Sequence, residues 1–303
     1  MTTPPVCDYE GSDYQTSFWD RGGRQYEDLA EAAALKRLLP AAGHLMLELG
    51  AGAGRNTLRY QGFDRIVLLD YSLSQLEQAR TRLGDSARFI YVAADIYKLP
   101  FRDAKFDAAT MIRTLHHMAQ APAALKQVRR VLQPGSIFIL EFANKLNLKS
   151  ILRYWLGKQS WSPFTPEPVE FVSLNFDFHP KEVKKWLAEL GFEIQNMLSV
   201  SFFRLGLLKR IIPAKILASL DNILQPSGKL FQLTPSVFVR AQLKNWQSLN
   251  SSSPDSLEIV DLFRCPECES HPLQDQVDFL VCPACGKKWS HCAGIYDFRA
   301  PIE

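Results

Sequence analysis

The 303-residue sequence contains no apolar run of the roughly 18 residues that a membrane-spanning helix requires. It opens on MTTPPVCDYEGSDYQ, which has neither the basic start nor the apolar core of a secretory signal, so a cytoplasmic location is the expectation. It has no internal repeat. Neither sign of charge dominates: the net charge is +3, and the hydrophobic fraction of 47% with 22% charged residues excludes the disordered and membrane classes. Cysteine is scarce until the end: five of six fall after residue 264, four of them as two C-x-x-C pairs. Without a secretory signal that pattern argues for metal rather than disulfides, and Cys7 and Cys292 are left over.

What is present is a segregated charge. Residues 1–144 carry 17 basic and 16 acidic side chains, residues 145–245 carry 14 and 7, and residues 255–303 carry 4 and 9. A positive middle segment is ordinarily a solvated face; as a functional surface it would meet an anionic substrate, a membrane or nucleic acid.

From about residue 28 helix-like and strand-like stretches alternate, the pattern of parallel strands joined by crossover helices. HLMLELG and IVLLD are short, near-continuous apolar runs, as expected of strands buried on both faces. SLSQLEQARTRL follows as a helix with capping-box spacing between Ser72 and Gln75. RFIYVAAD, FDAATMIRTL and SIFILEF supply three more strands, with APAALKQVRRVLQPG a helix between the last two. HPKEVKKWLAELG, FEIQNMLSVS and SVFVRAQL then give a helix and a hairpin-like finish. Two long segments, 144–179 and 203–233, interrupt this rhythm and read as lids or inserts. The Ser-rich stretch 249–256 reads as a linker, dividing a domain at 1–248 from one at 257–303.

The first strand runs into Glu48-Leu49-Gly50-Ala51-Gly52-Ala53-Gly54-Arg55, three glycines at alternate positions before an expected helix start. A dinucleotide fingerprint would place its third glycine at position 55, where this chain has arginine. The compact G-x-G-x-G after an acid suits a ligand without pyrophosphate but with a positive amino group, which Glu48 would attract. Asp70 ends the second strand, where a carboxylate can accept from ribose hydroxyls; the alternative role, helix cap, falls better on Ser72. Asp95 ends the third strand, beside the apolar Ile96, and by itself would be a turn aspartate. Three acids and a glycine run thus converge on the carboxyl edge of the sheet, where open α/β folds bind ligands.

Over residues 24–143, and more loosely to 244, these motifs resemble the class I S-adenosylmethionine-dependent methyltransferases, in particular the ubiquinone and menaquinone biosynthesis group. LELGAGAGRNT, LLDYS, AADIYKLPF, FDAATMIRTLHHM and LKQVRRVLQPGSIFILEF carry the likeness. The resemblance implies an α/β fold with a Rossmann-like, seven-stranded, mostly parallel sheet, helices on both faces, and a small C-terminal zinc-ribbon domain. It implies that Glu48, Gly50, Ala51, Gly52 and Gly54 hold the methionine portion of S-adenosylmethionine, Asp70 the ribose, and Asp95 with Ile96 the adenine, with Tyr71 also at the cofactor. Arg113 and Thr114 would lie beside the sulfonium, and Tyr14, Trp19, Arg24 and Tyr26 would form an N-terminal lid over the cofactor, unless they only pack. Where the acceptor must lose a proton, His116 and His117 are the candidate bases, with His179 beside Asp177 a second choice; capping or packing is the alternative for all three.

The insert FFRLGLLKRIIPAKILASLDNIL mixes apolar residues with Arg204, Lys209, Arg210 and Lys215, which fits either core packing or an amphiphile-binding lid with peripheral membrane contact through 203–233. A small-molecule or amphiphilic acceptor is the leading expectation. RNA or protein as acceptor, with nucleic acid not favoured, and a non-catalytic cofactor-binding scaffold are the rivals.

Cys265-x-x-Cys268 and Cys282-x-x-Cys285, 13 residues apart, are paired knuckles that supply four thiolates to a structural zinc. With its W-x-x-x-x-G-I-Y-D-F-R ending, this segment resembles the small zinc-ribbon proteins that bind and activate methyltransferases acting on tRNA, ribosomal RNA and release factors. Fusion in one chain would make such activation intramolecular. A module for stability or oligomerisation is the alternative.

Overall fold

The structure, a computed structural model, describes residues 4–13, 15–244 and 258–303. The expected linker at 249–256 and Tyr14 lie outside the described residues. In chain order the principal elements are α1 (Gln25–Leu38), β1 (Gly43–Leu49), β2 (Phe63–Asp70), α2 (Leu73–Leu83), β3 (Phe89–Ala93), β4 (Phe106–Met111), α3 (Ala121–Val131) and β5 (Leu132–Ala143). After them come α4 (Leu148–Trp155), β6 (Val169–Val172), β7 (Asn175–Asp177), α5 (Pro180–Glu189), β8 (Phe192–Val200), α6 (Gly206–Ile211), α7 (Ala214–Leu224) and β9 (Ser236–Leu243). The C-terminal segment adds β10 (Gln274–Asp275), β11 (Phe279–Val281), β12 (Lys288–Cys292) and β13 (Ile295–Ile302).

Strands β3-β2-β1-β4-β5 are parallel neighbours, and β9 and β8 close that edge antiparallel, so the expected seven-stranded Rossmann-like sheet is present. Its strands read as continuous apolar runs because both faces are covered. Leu45, Leu47 and Leu49 of β1 enter one core with α3 and α5, while Met46 enters the other with α1, α2 and α7. A period-2 backbone sandwiched between helices needs apolar residues on both phases. The α3 helix stops at Val131, sooner than the Pro-Gly pair suggested; Pro134 and Gly135 sit inside β5.

The C-terminal ribbon joins the sheet: β13 pairs in parallel with β3, in register from Ile295 with Tyr91 to Asp297 with Ala93, giving one eleven-stranded sheet. Phe263, Trp289, Tyr296 and Phe298 are buried in the same core as Phe101 and Phe106. Phe263 stacks on Phe101 with 5.9 Å between ring centroids. The edge that β3 would otherwise leave open is thereby paired, which removes an exposed row of backbone donors and acceptors.

At the opposite flank the two inserts emerge. The α7 helix packs Leu217, Ala218 and Asp221 inward, and Tyr26 Oη donates to Asp221 Oδ2 at 2.6 Å, tying α1 to the insert. Among the described residues no helix is long and apolar enough to cross a membrane.

Candidate active site and metal centre

At the carboxyl ends of β1, β2, β3 and β4 lies a cavity of about 970 Å3, counting the part open to solvent. Glu48, Gly50, Ala51, Gly52, Asp70, Tyr71, Asp95, Ile96, Arg113 and Thr114 line it, so the strand ends bring together ten residues that the motifs singled out. The glycine loop shapes its floor. Gly50 has φ +68°, and a Cβ there would lie 2.1 Å from Thr114 Oγ1, so only glycine lets the β1 and β4 ends close up. Gly54, by contrast, does not line the cavity: its Cβ position faces Leu83 and Ala79 of α2 at 2.9 and 3.3 Å. It serves helix packing rather than ligand approach. The expected helix after the loop is also absent, replaced by a single 3₁₀ turn at Thr57–Arg59.

Glu48 is buried and accepts hydrogen bonds from Thr57 Oγ1 at 2.6 Å and Tyr60 Oη at 3.2 Å. Burial pushes its carboxyl up to about 7, with the two hydroxyls and the arginines Arg55 and Arg59 opposing. A cation delivered to this cavity would ionise it. Asp70 accepts from the Gly52 backbone N–H at 2.7 Å and from that of Ser72 at 3.0 Å, which locks the carboxylate across the mouth of the loop. Ser72 caps α2, accepting from Gln75 N at 3.3 Å, as its spacing indicated. Asp95 caps the short 3₁₀ turn after β3 through Tyr97 N at 2.8 Å. Burial raises both aspartates above their ordinary range.

Arg113 takes φ +59° at the end of β4, its N–H donating to Glu141 and its Nε to Glu31 at 2.7 Å. Burial alone would raise Glu31, but Arg113 and Arg55 on either side hold it at about 2. Arg55, the residue that breaks the dinucleotide pattern, also pairs with Asp28 and lies 3.6 Å over the Trp19 ring. Trp19 lines the cavity; Tyr26 does not, because its hydroxyl is spent on Asp221 and Phe203 N, and Arg24 instead lies over Phe18.

The two histidines after β4 differ. His117 lines the cavity, but Nε2 meets Tyr9 Oη at 3.1 Å and Nδ1 meets the Leu174 carbonyl at 3.0 Å, an arrangement of a neutral ring donating from Nδ1. His116 does not line the cavity and leaves Nδ1 buried without a partner. Burial first, then His117, Arg113 and Arg204, depresses its pKa well below the ordinary value. His179 is a helix cap, Nδ1 accepting from Lys181 N. Sequence reasoning missed Val6, Cys7, Tyr9, Gln15 and Gln75 in the lining. Nothing in their spacing points to the cavity; the N-terminal segment reaches it through tertiary contacts such as Glu10 with Ser72 Oγ at 3.1 Å.

The four cysteines of the ribbon place their sulfurs within 4.8 Å of one another. Cys265 Sγ lies 3.7 Å from Cys285 Sγ, and Cys268 Sγ 3.4 Å from Cys282 Sγ. A tetrahedral zinc with bonds of about 2.3 Å needs sulfur separations of about 3.8 Å, so the donor set fits zinc. His291 stacks on Tyr296 instead, and Cys292 is exposed. The ribbon also reaches the cavity rim: Arg299 Nη1 donates to the Tyr71 carbonyl at 3.3 Å and lies 3.8 Å from Glu10.

Residues 47–140 match the family model described as a methyltransferase domain. Similar curated proteins include an O-methyltransferase of Penicillium expansum, 31% identical across 46% of this chain and 54% of its own length. A demethylmenaquinone methyltransferase of Clavibacter sepedonicus is 34% identical across 54% and 59%. A ubiquinone/menaquinone biosynthesis C-methyltransferase of Pseudomonas savastanoi is 30% identical across 50% and 66%. The matched part therefore spans only about half to two thirds of these relatives. Among solved structures, a chain of a complex containing the Haloferax volcanii Trm112 methyltransferase activator has a TM-score of 0.54 at 16% identity, covering 77% of this chain and 96% of that one. An S-adenosylmethionine-dependent methyltransferase of Thermotoga maritima gives 0.55 at 19%, covering 77% and 95%. At such identities the likeness establishes the fold.

Proposed function

We propose that the protein transfers a methyl group from S-adenosylmethionine to a small or amphiphilic acceptor, with the zinc ribbon as an in-cis stabilising or activating module. The observation that carries this reading is the convergence of Glu48, Asp70 and Asp95 with the Gly50 turn on one cavity at the strand ends, within the matched methyltransferase domain. Glu48 would take the ammonium, Asp70 the ribose hydroxyls, and Asp95 with Ile96 the adenine. S-adenosylmethionine supplies an electrophilic methyl. The chain's own part is to align the acceptor, exclude water behind Trp19 and the Val6–Tyr9 segment, and hold charge away from the sulfonium by pairing Arg113 with Glu31. Where the acceptor must lose a proton, His116 and His117 are the candidates: His117 lines the cavity with both ring nitrogens engaged, and His116, behind it, has Nδ1 without a partner.

The amphiphilic acceptor is supported by the inserts. Leu207, Ile211, Ile216 and Ile223 of α6 and α7 are all more than half exposed, with the basic Arg210 and Lys215 among them. Apolar side chains among basic ones suit an anionic membrane surface, through 203–233. The ribbon's part is supported by its shared core, the β13–β3 pairing and Arg299 at Tyr71.

Calorimetry with S-adenosylmethionine and S-adenosylhomocysteine tests the core of the reading: both should bind, and binding of neither overturns it. Transfer of labelled methyl to a total lipid extract is the expected acceptor result. Label in total RNA or protein alone overturns the amphiphile.

A further inference from the structure

Arg113, which lines the cavity, also interacts with a second group of charges that the cofactor reading does not use. Arg204 follows β8 in a loop pinned by Phe202 N to Asp221 at 2.8 Å and Phe203 N to Tyr26 Oη at 2.9 Å. Its Nε and Nη2 are both shielded from solvent and have no hydrogen-bond partner. These two nitrogens form one edge of the guanidinium, the side on which two parallel N–H bonds point the same way. Such an edge matches the two oxygens of a carboxylate. The charges felt by Arg204 come from Arg113, Glu31, Glu141 and Glu27. None of these acids closes the edge: Glu31 is held by Arg55 and Arg113, and Glu27 pairs through Oε1 with Arg24 and Lys209 while its Oε2 makes no hydrogen bond. Glu141 accepts from Arg113 N and Ser236 Oγ.

Two further groups interact with Arg204 electrostatically. His116 Nδ1 is also buried without a hydrogen-bond partner, and Arg204 contributes to its field. Asp177, at the end of β7, also interacts with Arg204, yet burial holds its carboxyl up at about 6 rather than leaving it in the ordinary range. An aspartate that completed an ion pair with Arg204 would be pulled down instead. A buried guanidinium with an open fork is costly unless an anion completes it.

We propose that the open edge of Arg204 is the acceptor's anchor, and that the acceptor carries a carboxylate which it binds side-on, next to His116. The inference rests on the methyltransferase reading and narrows its substrate class: an amphiphile with an acid head, not a neutral one. Arg113, whose charge acts on Arg204, lines the cofactor cavity with Thr114, and His116 lies two residues beyond them, which puts a head group held at Arg204 beside that cavity.

The test is calorimetry on the full chain saturated with S-adenosylhomocysteine. The probes are matched pairs: 4-hydroxybenzoate, indole-3-acetate and decanoate, each against its primary amide. At least one carboxylate should bind about tenfold or more tighter than its amide, the range of charge-assisted hydrogen bonds. Arg204→Gln should level that pair, Arg204→Lys should restore only part of it, and Asp177→Asn should leave it in place. The affinity for S-adenosylhomocysteine, unchanged in all three variants, shows that they fold. If no acid outbinds its amide, if Arg204→Gln keeps the preference, or if Asp177→Asn abolishes it, the proposal is overturned while the cofactor reading stands. Failure of S-adenosylhomocysteine itself to bind is the separate failure of that reading.

Discussion

The two flanks of the sheet are finished in opposite ways. On the β3 side the ribbon adds four strands and buries Phe263, Trp289, Tyr296 and Phe298 in a core continuous with the domain. On the β8 side the inserts leave Leu207 69%, Ile223 71% and Leu230 75% exposed, although their helices are anchored through Tyr26 and Asp221. Both flanks are apolar in sequence. The ribbon flank turns its aromatic residues into the core, whereas the insert flank leaves its large aliphatic residues in solvent, where the proposed membrane contact would use them.

The largest expected effect comes from breaking the covered flank at its metal. Zinc chelation or Cys282→Ser should melt the ribbon, because the segment is too small to hold its own core without the ion. The bound zinc measured by mass spectrometry should fall from one to none, and the melting temperature and S-adenosylhomocysteine affinity should fall with it. Retention of both without zinc would make the ribbon a passenger. Next is Phe263→Ala, which opens a cavity among Phe101, Tyr296 and Phe298 and should cost about 3–5 kcal/mol in denaturant unfolding.

A smaller effect distinguishes the cavity from both flanks. Glu48 holds its proton in the folded state up to about 7, above its ordinary 4.5, so the ligand-free protein loses stability as pH rises through that window. A bound ammonium favours the ionised form, so affinity for S-adenosylmethionine should rise up to about tenfold between pH 6 and pH 8. Glu48→Gln should flatten that profile, and a profile that stays steep in the variant would assign the titration elsewhere. Glu31 has the opposite sign: at about 2 in the folded state, it contributes stability that is present above its ordinary 4.5 and lost as pH falls toward 2. The smallest effect on stability belongs to the uncovered flank. Leu207→Asp and Ile223→Asp should change unfolding by within about 0.5 kcal/mol. They should nevertheless abolish cosedimentation with anionic vesicles, and undiminished sedimentation would remove the membrane contact from the proposed function.

The strand ends and the cysteine quartet were legible because each is a local pattern: an apolar run that stops at an acid or glycine, and two short knuckles. Gly54 and Tyr26 show where that legibility stops. Both sit inside recognisable motifs, yet Gly54 faces α2 and Tyr26 turns away toward α7, because packing partners 25 to 195 residues distant decide where they point. The same holds for Arg204, whose importance is the absence of a partner, a property no residue has by itself.

By itself, then, the sequence determined the seven strands of the central sheet, the acids at its edge and the thiolates of the metal site, since these depend on periodicity and spacing along the chain. Only the tertiary structure decided that the ribbon continues the sheet, that His117 is engaged while His116 is not, and which apolar flank stays open. Those outcomes depend on long-range register and on which buried polar atoms find partners, and neither quantity is written in any local stretch of sequence.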